Sequence, residues 1–289
     1  MKLNLILTNF KNIVNFWKNS SYILIILLLT PIVTLILSSF QNNIETWLHL
    51  IDTKLSLYIY NTFFLIIGVG ILSTIIGISS AWIVAKYKFL LSDYVEWGLL
   101  LPAAIPAYIV AYCYTDFLEY GGIIQTTLRE IFDWQSSKEY FFPEIRSMAG
   151  AILILSFALY PYIYLITKVA FSSTPRNLFN VAKIHGKSEF LHVALPMARP
   201  AIIAGLSLVL METISDFGTV EFLAVETVTL GIFNLWLGMN NFSAASQLSF
   251  LTFTFIIVLL GVELSARKNQ KFNNPQASSF EKKNEKIRI

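Results

Sequence analysis

The chain is short of charge. Asp, Glu, Lys and Arg make up 13% of its 289 residues, while 55% are hydrophobic. Soluble domains carry about 25% charged residues, so a soluble globule is excluded and an integral membrane protein is implied. Cysteine occurs once, at Cys113, which rules out an internal disulfide and any cysteine-built metal cluster. The three histidines, His49, His185 and His192, are too scattered to suggest a metal site. No nucleophile–base–acid set stands out, and no repeat with a period of about 20–50 residues is visible. Gly186-Lys187-Ser188 is like the end of a phosphate-binding loop, but the full pattern G-x-x-x-x-G-K-[ST] needs glycine where the chain has Val181, and no buried strand precedes it. The chain is therefore read as neither an enzyme nor a nucleic-acid binder, and as holding no cofactor of its own.

What the sequence does have is long apolar runs. Six of them, at about 21–40, 57–85, 97–118, 148–170, 201–222 and 247–264, are each near the roughly 20 residues a helix needs to cross a bilayer. An all-α integral membrane protein with six transmembrane helices is expected, in a single membrane domain over 1–267. The second run is long enough to tilt. The first is too long for a signal-peptide core and no A-x-A-like site follows it, so it is expected to be a retained helix. Residues 268–289 are polar, with few aromatics, and are expected to form a disordered cytoplasmic tail within reach of lipid headgroups. With the N-terminus inside, seventeen Lys and Arg residues fall on the cytoplasmic side, and four (Lys54, Arg129, Lys138 and Arg146) fall outside. The positive-inside rule then puts both termini in the cytoplasm.

Two carboxylates inside an apolar run carry the strongest functional signal. Glu212 and Asp216 lie within 201–222, where each acid at mid-bilayer costs about 2.5–3.5 kcal/mol. Counted from Ala201 at about 1.5 Å per residue, they lie roughly 17 and 22 Å along a core of about 30 Å. Spaced by four, they are expected to share one helix face, either lining a transport path or packing against neighbouring helices. Tyr108, Tyr112 and Asp116 form a second stripe at spacings of four on the third run. That stripe reads as an interfacial aromatic belt, or as a phenol and carboxylate surface at the outer mouth suited to a hard cation. Two connections are long. The outer one, 119–147, holds a helix-like stretch from Ile123 to Phe132 after Gly121-Gly122, and the inner one, 171–200, reads as short amphipathic helices around Gly186.

The stretch Asn180–Pro196 (NVAKIHGKSEFLHVALP) resembles the cytoplasmic loop of binding-protein-dependent ABC importer permeases. In that pattern a Glu-Ala-Ala is followed by a glycine and then Leu-Pro; here Ala182, Gly186 and Leu195-Pro196 match. Leu101–Gly122 (LPAAIPAYIVAYCYTDFLEYGG), Phe142–Ser147 (FPEIRS), Leu195–Ile202 (LPMARPAI) and Met211–Phe222 (METISDFGTVEF) together resemble the ferric-iron permeases of that superfamily, over about residues 57 to 265. Three departures stand beside the match: Asn180 replaces the Glu and Val181 the first Ala, the interval from Gly186 to Leu195-Pro196 is three residues short, and only the first half of a two-half permease is covered. Three residues is nearly one helical turn, so the second helix of the loop is expected to be short and rotated.

The resemblance implies a type I ABC importer permease fold in a bacterial inner membrane. It also implies a cytoplasmic ATPase dimer, which hydrolyses ATP and clamps the loop through Asn180, Val181, Ala182, Gly186, Leu195 and Pro196. A periplasmic ferric-binding protein would deliver Fe(III), and a second permease half, a separate chain or a copy of this one, would complete the pore. The same machine carrying thiamine, a polyamine or another ion is the nearest alternative. A proton-coupled secondary transporter working through Glu212 and Asp216, or a non-transporting membrane subunit, are the others.

Overall fold

A computed structural model of the chain describes residues 2–268 and, among them, contains helices and no strand. The tail expected to be disordered lies, from 269 onward, outside the described residues. Five helices are long and apolar enough to cross a membrane, at Lys18–Ser39, Leu55–Lys86, Met148–Ser172, Phe190–Ser215 and Phe242–Gly261; a sixth crossing is available if the bent pair Ser92–Ala104 and Ala107–Phe132 is one broken span. The described chain forms two compact units, 1–53 with 232–253, and 54–231 with the remainder.

The first unit contains α1 (Lys2–Ser39) and α2 (Ile44–Thr53). The apolar window of α1 buries nothing within the chain, as expected of a helix whose solvent is lipid or another protein. Its hydroxyls answer to their own backbone: Thr30 donates to the Ile26 carbonyl and Thr34 to the Thr30 carbonyl. After α1 the chain is held by side-chain amides. Gln247 donates to the carbonyls of Ser39 and Gln41, Asn43 donates to Ser243, and Asn241 donates to Asn43 and Thr46.

The second unit is built on three long helices, α3 (Leu55–Lys86), α7 (Met148–Ser172) and α9 (Leu195–Ser215), which all touch one another. Between α3 and α7 lie α4 (Ser92–Gly98), a 3-10 turn at Leu101–Ala104, α5 (Ala107–Leu118) and α6 (Ile123–Phe132). The connection between α7 and α9 holds α8 (Arg176–Ile184); α10 (Gly218–Phe222) and α11 (Val228–Phe233) follow α9, and α12 (Phe242–Lys268) ends the described chain. Ile163 of α7 is fully buried between two glycines. A Cβ on Gly205 would lie 2.7 Å from the Ile163 Cα, and one on Gly77 would lie 2.9 Å from the Ile163 Cβ. Between apolar membrane helices, attraction comes from close packing, and small residues allow the approach.

The third run is not one straight helix from 97 to 118. The chain turns through 97° at the break between Ala104 and Ala107. Pro106 explains it. It has no N–H to continue a helix, and its ring drives Ile105 into extended backbone (φ −110°, ψ 125°). The stretch Ile123–Phe132, by contrast, is helical over the residues read from sequence.

Candidate functional site

The fifth run also breaks. The helix of Glu212 ends at Ser215, and Asp216 sits beyond it with extended backbone (ψ 124°). The two acids therefore do not share a helix face. Asp216 has become a cap: its Oδ1 accepts from the backbone N–H groups of Thr219 and Val220 at 2.9 and 3.1 Å, and its Oδ2 accepts from the Thr219 hydroxyl at 2.9 Å. The carboxylate thus satisfies the first free donors of α10, as a capping side chain does. This bonding competes with the helical hydrogen bonds that a spacing of four would otherwise suggest.

The acids nonetheless meet across a cavity of about 340 Å³. Its walls are Glu212 and Asp216 on one side, the broken segment Ala103–Tyr108 on another, and Leu155, Ala158, Leu159 and Tyr162 of α7. The proline break is thus what brings irregular backbone to the acids. Non-helical backbone at membrane depth is tolerated where it lines a cavity or is covered by protein.

Tyr108, Tyr112 and Asp116 all lie on α5. Tyr108 lines the cavity with the acids, and Tyr108 and Tyr112 line a second one of about 640 Å³ with Arg146, Gly218, Glu221 and Phe222. Asp116 is exposed and lines none of the cavities described here. A third chamber of about 700 Å³ is lined by 118–120, Gln125, Ser137 and 140–146. The connection 119–147 is a built structure. Arg129 stacks 4.0 Å above the Tyr120 ring and donates to the Tyr140 hydroxyl, which donates to Gln125, which donates to the Leu118 carbonyl. Among the described residues, no group of three or more His, Cys, Asp or Glu side chains is arranged to hold a metal ion. Arg146, Glu221 and Phe222 were not among the expected site residues. The available signal was Arg146 itself, a basic residue directly before an apolar run on the side with few basic residues.

In the loop between α7 and α9, α8 ends in a complete Schellman motif. Gly186 takes φ +67°, its N–H donates to the Lys183 carbonyl at 3.1 Å, and the Lys187 N–H donates to the Ala182 carbonyl at 2.9 Å. Phe179 and Ala182 are buried; Asn180, Val181 and Gly186 are exposed; Leu195 and Pro196 are half-buried. The second arm is not a separate short helix. Phe190–Ala194 forms a π turn that runs without interruption into α9. Pro196 lacks the N–H and its ring crowds the carbonyl four residues earlier, which favours a locally widened turn. Trp82 holds this loop to the spans, with ring centroids 5.5 Å from Phe171, 6.3 Å from Phe179 and 5.2 Å from Phe190. Lys86 lies over the Trp82 ring at 4.8 Å and pairs with Glu189 at 3.1 Å. The neighbouring α4 is tied to α7 by Lys168–Glu96 and by hydroxyls of Tyr160 and Tyr164 donating to the Leu99 and Glu96 carbonyls.

With this geometry in place, similarity to known proteins is informative. The family described as binding-protein-dependent transport system inner membrane component matches residues 73–266. The Fe(3+)-transport system permease protein FbpB 2 of Haemophilus influenzae is 25% identical over 213 residues, 73% of this chain and 37% of that protein. A probable molybdenum ABC transporter permease protein of Haloferax volcanii is 23% identical, covering 66% of this chain and 65% of the relative. A probable sulfate transport system permease protein of Nephroselmis olivacea is 24% identical, with coverages of 71% and 70%. The chain thus spans little more than a third of the ferric relative and just under two thirds of the molybdenum one. In fold, it is similar to a chain in the crystal structure of a bacterial alginate ABC transporter in complex with an alginate pentasaccharide-bound periplasmic protein. The TM-score is 0.67 at 17% identity, over 90% of this chain and 98% of that one.

Proposed function

This chain belongs to the family of binding-protein-dependent transport system inner membrane components, and on that premise we propose that it is the permease subunit of an ATP-driven importer that carries Fe(III) inward. Its partners in this reading are a cytoplasmic ATPase dimer seated on 176–196, a ferric-binding protein at the outer face, and a second permease half. The observation that carries the substrate is the charge of the cavities. Glu212 and Asp216 line the inner one, Glu221 the middle one, and Glu119 and Glu144 the third chamber. Hard oxygen ligands suit a hard, highly charged cation, whereas the two carboxylates of the inner cavity, which no basic side chain lines, repel oxyanions such as molybdate and sulfate. Tyr108 and Tyr112 add phenol oxygens to the same walls.

The loop geometry supports the coupling half of the reading. The arm after Gly186 is continuous with the helix that carries Glu212, so a push on the loop is transmitted along one helix to that acid. Reconstitution tests both halves. In vesicles with its ATPase and a ferric-binding protein, the complex is expected to accumulate radiolabelled Fe(III) only when ATP is supplied. ATP-dependent accumulation of molybdate or sulfate instead would reassign the substrate. Uptake that ignores ATP and follows an imposed pH gradient would replace the importer with a proton-coupled transporter.

A further inference from the structure

The loop at 176–196 has two arms, α8 and the π turn, on either side of Gly186. The second arm runs on into α9, whereas α3 is remote from both in sequence. Trp82 of α3 nonetheless touches both arms, through Phe179 of α8 and Phe190 of the π turn, and rests on Phe171 of α7. Ring pairs at such separations attract one another. Lys86, one turn further on, pairs with Glu189 just ahead of the π turn. The backbones of α3 and α8 pack far less closely than those of α3 and α7, so long side chains bridge the loop to α3. The far end of α3 holds a second segment. Thr62 accepts from the Val228 N–H at 3.0 Å, the Asn61 amide donates to the Glu226 carbonyl at 2.9 Å, and Lys54 pairs with the Glu226 carboxylate at 2.8 Å. Thr62 lies about 20 residues before Trp82, roughly 30 Å along the helix at about 1.5 Å per residue. The segment it holds is tied to α10 by a tight turn at Ala224 (φ +57°), where the Val225 N–H donates to the Val220 carbonyl at 2.8 Å. Thr229 donates to the Ile214 carbonyl, at the end of α9, at 2.5 Å. The stretch 216–229, which begins at Asp216, is therefore held by both α9 and α3.

We propose that Trp82 is the positioning residue that joins the loop to α3, and that α3 thereby acts beside α9 as a second lever on the stretch that carries Asp216. The inference rests on the reading of 176–196 as the ATPase seat. Helix α9 follows the second arm alone, because the two are one helix. Helix α3 follows both arms, because Trp82 touches both. A change in the angle between the arms therefore becomes a small sliding of α3 against α9, the shear that packed helices allow. The stretch 216–229 spans the two helices and takes up that sliding. Asp216 moves with it, while Glu212 stays with α9. Flexing of the loop is thus converted into a change in the separation of the two acids.

The test reads movement rather than transport. On a Cys113→Ser background, an environment-sensitive fluorophore is attached through Ser188→Cys on the loop or through Ala224→Cys in the far stretch, both exposed positions. The complex with its ATPase and second permease half is held in nanodiscs, and a non-hydrolysable ATP analogue is added. Both labels are expected to respond in the parent. Trp82→Ala should cut the response at 224 at least about threefold, within the range that mutations between coupled sites produce, with the response at 188 kept. Trp82→Phe, which keeps a ring against Phe179 and Phe190, should restore most of it. Asn61→Ala combined with Thr62→Val, at the other end of α3, should give the same loss at 224 and leave both the loop response and ATPase binding unchanged. With the ATPase bound, a full response at 224 in either Trp82→Ala or the Asn61–Thr62 variant would overturn the lever and leave the seat standing. If Trp82→Ala releases the ATPase, the Asn61–Thr62 variant decides: a reduced response at 224 upholds the lever, and a full one overturns it. No response at 188 in the parent would overturn the seat, and the lever with it.

Discussion

Gly186 has open space where a Cβ would be, yet its φ of +67° belongs to the left-handed region. The cost of a side chain there is one of backbone, not of crowding. Gly186→Ala is expected to lower stability by about 1 kcal/mol and Gly186→Asn by less, since asparagine tolerates this conformation. Thermal unfolding in detergent would show it, and equal losses for both variants would contradict the backbone explanation. Gly186→Trp carries the same strain plus bulk on an exposed surface. If the ATPase seats there, that variant should uncouple ATP hydrolysis from transport far more than Gly186→Ala does; equal coupling would place the contact elsewhere. At Lys54, the hydrogen bond it donates to Glu226 raises the amine above the ordinary lysine value, with the Glu226 charge acting in the same direction and desolvation opposing both. A raised lysine stabilises fully below the unfolded value and loses that contribution as pH rises through the folded one. The stability difference between the wild type and Lys54→Met should therefore be flat through neutral pH and vanish at strongly alkaline pH, as melting temperatures measured across that range would report.

At the scale of elements, α10 depends on one carboxylate. Asp216→Asn keeps an acceptor for Thr219 and Val220 and should leave the melting temperature nearly unchanged, while Asp216→Ala should cost about 1 kcal/mol as a lost cap does. Iron uptake separates cap from charge: uptake lost in Asp216→Asn at intact stability assigns the charge a role in passage, and uptake retained leaves Asp216 as a cap only. Glu212→Gln, which has no cap to lose, is expected to reduce uptake without a stability change. The same segment explains what sequence could and could not convey. Ile123–Phe132 was legible because its apolar and polar residues alternate with the helical period after a pair of glycines. Asp216 was misplaced because a spacing of four fits a continuing helix as well as it fits a residue just past the end of one. The discriminating signal was local: Thr219 and Val220 follow closely enough to be capped. The break at Pro106 was written in the chain too, but a long apolar run outweighed it. Trp82 escaped notice because its importance comes from three elements meeting at its ring, which no local pattern encodes.

For the whole molecule, the asymmetry of Lys and Arg predicts sidedness. On a Cys113→Ser background, single cysteines placed by Asn43→Cys and Ser137→Cys should react with impermeant reagents from outside, and Ser188→Cys only from inside; reaction of position 188 from outside would overturn both the orientation and the docking face with it. The grip of Ile163 between Gly77 and Gly205 has a consequence in time. Helix α7, which carries Ile163, is complete at Ser172, but α9, which supplies Gly205, is complete only at Ser215. At ribosomal rates of about 5–20 residues per second, the roughly 43 residues between them take on the order of 2 to 9 s to synthesise. For that interval one side of Ile163 lies bare in lipid, attractive to any other small-residue helix being inserted nearby. The arrival of α9 ends a race as well as completing a core, so slowing synthesis between Ser172 and Leu195 should raise the fraction of chains lost to mispairing.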